Sequence, residues 1–390
     1  MKSQILIVGA GPTGMVLACV LAQNGIKVKI VDKREHTSSI PRAINIASPV
    51  LKIFEEIGIG QRVLMSGLKL HELKAYWNKK PILNIGYKYY KPIHPYFFHI
   101  EQSKIECYLN EQLRALGIQV QRGISVTDLA VSSSDISVHF TKVNGKEWHE
   151  NYMYVIGCDG GNSTIRELAE IEFSHENYPS HFMIIDGELE RQFKNQENQL
   201  HYYLCEEGYL ILAPLPGKKC RMIASFKGRL SDVHSSTISL EEFQVILGER
   251  GPNRLRLNKV LWATRGNFFH RIAETARKGN IFLAGDAMHQ FSPVGGANMN
   301  VGIQDAYSLG LSLVSDLRDM RLTNGLMAYS RDRLKVARQY IETTASMTHL
   351  MTRTSNGDAQ DEARFLPLMR NRKFIKYTLP EMFSGDYFNN

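Results

Sequence analysis

The chain has 390 residues, 43% hydrophobic and 22% charged, enough to bury one large or two medium cores and typical of a soluble globular protein. Its 47 Lys and Arg against 39 Asp and Glu give a net charge of +8, spread along the chain, so a small anionic ligand is accommodated and a nucleic-acid partner is not expected. The five cysteines (19, 107, 158, 205, 220) form no C-x-x-C pair, which argues against a zinc site, a dithiol centre and a disulfide framework and predicts a reducing, cytoplasmic setting; no apolar run reaches membrane-spanning length.

Four apolar residues, 5–8, predict a short buried strand. They run into Gly9-Ala10-Gly11-Pro12-Thr13-Gly14, the G-x-G-x-x-G spacing, and a helix follows to Asn24-Gly25 with Gly14, Ala18, Leu21 and Ala22 on one face. The first glycine serves the tight turn and the second lets backbone approach a pyrophosphate. The third allows close helix–strand packing, with the helix N-terminus facing the anion. A second strand at 28–31 ends at Asp32, where a carboxylate can hold ribose hydroxyls. Strand, turn, helix, strand and acid together predict a dinucleotide site, without distinguishing a nicotinamide from a flavin dinucleotide.

After Lys33-Arg34 a loop with Ser38, Ser39 and Pro41 reaches Arg42-Ala43. A helix is predicted from about Pro49, with Leu51, Phe54, Ile57 and Ile59 on its apolar face, ending at Gly58-Ile59-Gly60. Residues 68–100 hold short strand-like pieces rich in Tyr, Trp and Phe, which read as sheet and core at least as readily as a stacking pocket. Gln102 opens a helix over 104–116. Runs at 118–121 and 124–126 look extended, and 136–140 with 148–154 predict a small antiparallel ribbon. A strand then returns to a loop at Asp159-Gly160, and 163–166 start another helix. From 178 to 270, alternating runs separated by turns predict a largely antiparallel sheet with one helix near 240–248. Residues 281–286 repeat the buried-strand-then-loop pattern and end at Gly285-Asp286. Past Pro293-Val294-Gly295-Gly296 a long helix begins near Asn298, striped with Gly302, Ala306, Leu309, Leu313 and Leu317; a further helix covers roughly 324–350 before a basic, apolar tail.

The glycine turn with Asp32, then Asp159-Gly160 with Ser163 and Arg166, then Gly285-Asp286, then Pro293-x-Gly295-Gly296-x-x-Met299-Asn300 together resemble the single-component flavin aromatic hydroxylases, FAD monooxygenases of the para-hydroxybenzoate hydroxylase fold. The resemblance runs from Ile5 to about Arg338. Residues 41–58 are similar to the phenol and polyketide hydroxylase branch, whose carboxy-terminal thioredoxin-like domain is expected to be missing here. The implied fold class is α/β with α+β insertions. It comprises a Rossmann-like FAD-binding domain (1–67, 101–177, 271–325), an inserted, mostly antiparallel substrate sheet (68–100, 178–270), and C-terminal helices and tail (326–390).

By that resemblance, Gly9, Gly11, Pro12, Thr13, Gly14, Asp32, Lys33 and Arg34 hold the ADP half of FAD, and Arg42 and Gln102 contact its pyrophosphate and ribityl region. Val126 is also implied in cofactor binding. Asp159-Gly160 and Gly285-Asp286 flank the cofactor, Asp286 bonding the ribityl chain; a helix-capping role for the two acids is the simpler alternative. Pro293, Gly295, Gly296, Asn298, Met299 and Asn300 adjoin the flavin, where amides at a helix start stabilise the negative charge of its reduced form. Asn298 stands where the family usually has glycine, and asparagine is the next-best residue for a left-handed backbone. Tyr202 matches a tyrosine that bonds a phenol oxygen, an interior sheet tyrosine being the alternative. Ala213 and Leu215 replace a benzoate-binding Ser and Arg, which favours a larger, less charged ring. The aromatic stretches 76–98 and 202–212 are expected to wall the pocket, His289 to order its loop, and the tail 364–377 to dock over the pocket or on a membrane or partner. The implied reaction uses NADH or NADPH, O2 and a flavin hydroperoxide to hydroxylate a phenolic or polycyclic molecule, with no metal, in a monomer or homodimer. An antibiotic-inactivating monooxygenase of the tetracycline type and a non-catalytic FAD-bound sensor are the alternatives.

Overall fold

The structure is a computed structural model that describes residues 4–38, 40, 43–86, 94, 96–190, 198–226, 238–253, 255–292, 296–318 and 324–353. Arg42, Pro293, Gly295 and the tail 364–377 lie outside these residues.

One sheet is doubly wound. Ile5–Val8 lies between Val28–Asp32 and Tyr154–Gly157, with Gln121–Arg122 beyond the first and Ile281–Leu283 beyond the second, all parallel; Arg277–Lys278 adds an antiparallel edge. Its central strands are continuous apolar runs because helices cover both faces. Helix Pro12–Gln23 packs against the long helix Asn298–Arg318, and the latter's stripe permits the approach: a Cβ on Gly310 would sit 2.7 Å from Val20 Cγ1. The helix predicted from Pro49 spans Ser48–Glu56 and breaks where Gly58 takes φ +87°, and a second short helix follows at Gly60–Ser66.

The ribbon is a three-stranded meander, Ile124–Val131, Ile136–Lys142 and Glu147–Tyr152. It stops at Tyr152, two residues earlier than expected, because Tyr154–Gly157 has crossed into the parallel sheet. Lys29 ties ribbon to sheet, its ammonium 2.7 Å from Glu150 and 4.9 Å from the centre of the Phe140 ring.

The second large sheet has eight strands. In order they are His289–Gln290, Leu257–Ala273, Phe173–Leu189, Lys219–Phe226, Gly208–Leu215, Gln199–Cys205, Glu72–Trp77 and Lys80–Gly86. Every pairing is antiparallel except that of Gln199–Cys205 with Glu72–Trp77, so strands from the 68–100 and 178–270 stretches share one sheet. Strand alternation gives it two faces. Met183, Ile185, Leu210, Leu212 and Met222 are buried beneath helix Leu240–Arg250, through its Phe243 and Leu247. Ile184, Ile211, Ala213 and Ile223 point the other way, towards the glycine turn.

Among the described residues no helix is long and apolar enough to cross a membrane, and no cluster of His, Cys, Asp or Glu is suited to a metal ion.

Candidate functional site

A cavity of about 390 Å³ runs from the glycine turn to the inner face of the eight-stranded sheet. At the turn, Gly9 takes φ +105°, and a Cβ there would lie 2.2 Å from the Cys158 carbonyl oxygen; one on Gly14 would lie 2.0 Å from the Gly9 carbonyl oxygen. Both glycines are required by protein packing, and neither lines the cavity. Gly11 differs: it has ordinary backbone angles, lines the cavity, and a Cβ on it would meet nothing within 4 Å. Helix Pro12–Gln23 starts there with Pro in its first turn and no side-chain cap, which leaves its first amides free for an anion. Pro12 and Thr13 line the cavity beside it.

Asp32 is 4% exposed and holds the turn from below. Its Oδ2 accepts the Ala10 amide at 2.8 Å, and its two oxygens take the Arg34 guanidinium at 3.1 and 3.0 Å. Burial works to raise its pKa, but the Arg34 side chain and the Arg34 and Ala10 amides outweigh it and leave the carboxyl below its ordinary value. Arg34 reaches the cavity, whereas Lys33 points to solvent. Gln102 lines the middle, accepting the Ala43 amide at 3.3 Å and donating to the buried Glu106 at 2.8 Å.

Three motifs far apart in sequence converge on Thr13. A Cβ on Gly285 (φ +63°) or on Gly302 would come within 2.7 Å of Thr13 Oγ1, so only glycine lets the 285–286 loop and the long helix close on the turn. Asp286 lines the cavity within the short 3₁₀ turn Gly285–Ala287. Beneath it lies a buried cluster that sequence reasoning missed. Asp305, fully buried, accepts the Gly285 amide at 3.1 Å, His289 Nε2 at 2.6 Å and Arg333 Nε at 2.6 Å. Burial works to raise the Asp305 pKa; the charges of Arg333 and His289 override it and lower it. The available signal was a charged residue on the apolar stripe, three after Gly302 and four before Leu309. Besides bonding Asp305, His289 stacks on Phe291 with ring centres 4.7 Å apart, contacts that suit a loop-ordering role.

Asp159 does not line the cavity, although its neighbours Cys158 and Gly160 do. Its carboxylate accepts the Ser163 hydroxyl and the Ile165 amide at the start of helix Thr164–Leu168, and burial raises its pKa. Gly160 has φ +88°, with nothing within 4 Å of a would-be Cβ. Val126 is buried in the ribbon opposite Phe140 and is not a cavity residue. Asn298 corrects its expectation. It begins the long helix without a positive φ, and its side chain clamps the Phe291 backbone, accepting the amide at 2.7 Å and donating to the carbonyl at 2.8 Å. Here asparagine supplies two hydrogen bonds that glycine could not. Asn300 joins the Ala47 amide to the Asn45 and Gly296 carbonyls, while Gly296, Asn298 and Met299 line the cavity.

At the sheet end, cross-strand neighbours Ile184, Ile223, Ile211 and Tyr202 form one row, and Trp262, Asp186, Arg221 and Ala213 form the next. Arg221 is 4% exposed and paired with Asp186 by two bonds of 2.7 Å, its guanidinium 5.8 Å from the centre of the Trp262 ring. Burial pushes the Tyr202 pKa up, so its phenol stays protonated. The aromatic wall also differs from expectation. Tyr76 stacks on Tyr203, ring centres 4.6 Å apart, away from the cavity, and 87–90 lie outside the described residues. Rings reach the cavity from Phe97, Tyr202, Trp262, Phe269 and Phe291, set among aliphatic residues. Leu215 is buried in the same apolar cluster as Ala213, and does not line the cavity.

A family model described as an FAD binding domain matches residues 2–344. The chain belongs to this FAD-binding family. A pentachlorophenol 4-monooxygenase from Sphingobium chlorophenolicum is 28% identical over 349 residues, covering 89% of this chain and 64% of that protein. A rifampicin monooxygenase from Rhodococcus hoagii is 26% identical over 358 residues, covering 92% and 73%. The chain thus spans 64–73% of the length of these two curated relatives. Among solved structures, a p-nitrophenol 4-monooxygenase from Pseudomonas putida DLL-E4 aligns with a TM-score of 0.84 at 18% identity, over 100% of this chain and 98% of that one. An anhydrotetracycline hydroxylase from Streptomyces rimosus aligns with a TM-score of 0.79 at 24% identity, over 99% and 76%. These likenesses establish the Rossmann-like fold of the FAD-binding family for this chain.

Proposed function

We propose that this chain is an FAD-dependent monooxygenase that uses NADPH or NADH and O2 to hydroxylate a phenolic or polycyclic aromatic molecule. The observation that carries the reading is the continuity of the cavity: the open space beside Gly11 and Gly160, which carry no side chain, leads directly into an apolar chamber closed by the sheet. A dinucleotide fits the same space, where a Cβ at Gly11 would fill a pyrophosphate's place. When bound, FAD supplies the transfer of electrons from NAD(P)H to O2 and of an oxygen atom to the ring.

The chain's own part is binding, orientation and exclusion of water. Gly11 and the free amides after Pro12 would hold the pyrophosphate, Arg34, braced by Asp32, the adenosine, and Gln102 with Arg42 the middle of the cofactor. Asp286 would accept ribityl hydroxyls, and the helix start at Gly296–Met299 would face the flavin pyrimidine. The aliphatic sheet rows keep water from the reacting ring. Tyr202, held protonated, would donate to a phenol oxygen. Ala213 and Leu215 offer no cation and Arg221 is committed to Asp186, so the chamber suits a near-neutral ring better than a small carboxylate. All five cysteines are free, which suits a reducing, cytoplasmic setting.

The test is to purify the protein, release its flavin with acid, and screen aromatics for stimulated NAD(P)H oxidation with mass spectrometry of the products. FAD release and hydroxylated polycyclic phenols are expected. The rifampicin and anhydrotetracycline enzymes named above bring rifampicin and anhydrotetracycline into the same screen. Efficient, coupled hydroxylation of 4-hydroxybenzoate would overturn the reading of the chamber, and a bound flavin with no stimulated oxidation by any ring would favour a sensor.

A further inference from the structure

His99 ends the short strand Phe97–His99, is 2% exposed, and lines the cavity. Its Nδ1 lies 2.9 Å from the carbonyl oxygen of Pro214. A carbonyl only accepts, so Nδ1 carries the hydrogen and the neutral ring presents its lone pair at Nε2. That atom has no partner among the described residues. Asn45, directly opposite on the adjacent strand, lines the same cavity. Burial drives the His99 pKa down to about 4; the Pro214 carbonyl works against this and the charge of Arg221 adds to it. The ring is therefore neutral at ordinary pH. It is also far too weak a base to take a proton from a phenol, whose pKa is about 10. What remains is an acceptor fixed in tautomer and direction, next to the strand that carries Ala213.

We infer that His99 Nε2 is the specificity-determining acceptor of this chamber, selecting a ligand that brings a neutral hydroxyl to it over one that brings a carboxylate or an ether. The inference rests on the proposed reading for the aromatic nature of the ligand. The physical reason is one-sided. A hydroxyl donor satisfies the lone pair. A methoxy group leaves it dry and unpaired, and a carboxylate sets its own lone pairs against it.

The test is direct binding to the FAD-loaded protein, without reductant, read from perturbation of the flavin absorbance. The probes are 2-naphthol, 2-methoxynaphthalene and 2-naphthoate. The unaltered protein is expected to prefer 2-naphthol to 2-methoxynaphthalene by about ten-fold, the usual worth of one such bond, and to bind 2-naphthoate least. His99→Leu should bring the first ratio close to one while leaving the affinity for 2-methoxynaphthalene and the flavin content unchanged. His99→Gln, whose amide can donate to Pro214 and still present an oxygen, should restore the preference. A ratio that survives in His99→Leu hands the selection to another group, such as Tyr202, and overturns the inference. So does an unaltered protein with no preference, which needs no variant to fold. If the ratios behave as expected but no ring stimulates NAD(P)H oxidation, the monooxygenase reading fails and the acceptor role stands.

Discussion

At the glycine-turn end of the cavity nearly every group is committed before a ligand arrives. Glycines replace side chains at contacts of 2.0–2.7 Å, Asp32 takes the Ala10 amide and Arg34, and Asp305 takes three donors. At the sheet end the wall is an alternating apolar face with few polar atoms: a phenol, the Arg221–Asp186 pair and one imidazole. The first end is specified by backbone geometry and the second by side-chain volume. A region of the first kind tolerates almost no change and suits a ligand that does not vary. A region of the second kind can be resculpted one methylene at a time, which suits a substrate class that does vary.

Substitutions at both ends put this contrast to the test. The largest effect should separate Gly9 from Gly11. Gly9→Ala forces a Cβ into the Cys158 backbone at φ +105° and is expected to destabilise the protein by more than about 4 kcal/mol, seen as insolubility or a collapsed unfolding midpoint. Gly11→Ala should unfold normally and lose FAD affinity ten-fold or more; equal damage from both changes would mean that Gly11 too is a packing residue. Next, Asp305→Ala leaves Arg333 buried without its partner and is expected to lower stability by about 3–5 kcal/mol, with looser FAD. Asp186→Ala should lower stability similarly while FAD affinity stays put. Denaturant titrations with and without FAD distinguish the two, and parallel FAD losses would erase the distinction between the ends.

Acid should act through three buried histidines. His99, His201 and His270 are each held neutral, chiefly by burial, with pKa values down to about 4 against an ordinary 6.5. Between those values the unfolded chain binds more protons than the fold, so stability falls as pH drops from about 6.5 towards 4, by up to roughly 1.4 kcal/mol per pH unit for each group. His99→Gln should flatten that slope by about a third, and an unchanged slope would show that His99 does not titrate in this way. Asp286→Ala should weaken FAD by about 1 kcal/mol with a smaller effect on the melting temperature than Asp305→Ala, since it lines the cavity. The smallest structural change is Tyr202→Phe. Flavin binding and stability should be unaffected, while product formed per NAD(P)H consumed falls; full coupling in the variant would remove that hydroxyl from the chemistry.

The glycine-turn end was largely readable from the chain because its constraints are local. A tight turn, a close approach or a strand end each demands a particular residue at a fixed spacing. What escaped were contacts made by residues whose own neighbourhoods look ordinary. Asp305 sits in a helix among apolar neighbours, and Arg333, its partner, lies on a different helix. In the chain alone Asn298 signals only a tolerant backbone, whereas its side chain bridges to Phe291. The sheet end was readable as a class, from alternation, but alternation does not say which face meets the cofactor. Tyr76 and Tyr202 both belong to aromatic-rich strands, and pleating turned one outwards and the other in. His99 carried no signal beyond being a lone polar residue in an apolar strand.

The single parallel pairing in the eight-stranded sheet has a consequence for how the molecule is made. The hairpin of Glu72–Trp77 and Lys80–Gly86 has a local turn at Asn78 and Lys79 and can form as soon as it leaves the ribosome. Its inner edge, however, awaits Gln199–Cys205, which emerges more than a hundred residues later. At about 5–20 residues per second, that edge stands open for roughly 6 to 25 s. During that interval the nascent chain offers unpaired backbone to any passing strand, so the yield of folded protein should depend on chaperone supply and translation speed more than the stability of the finished sheet suggests.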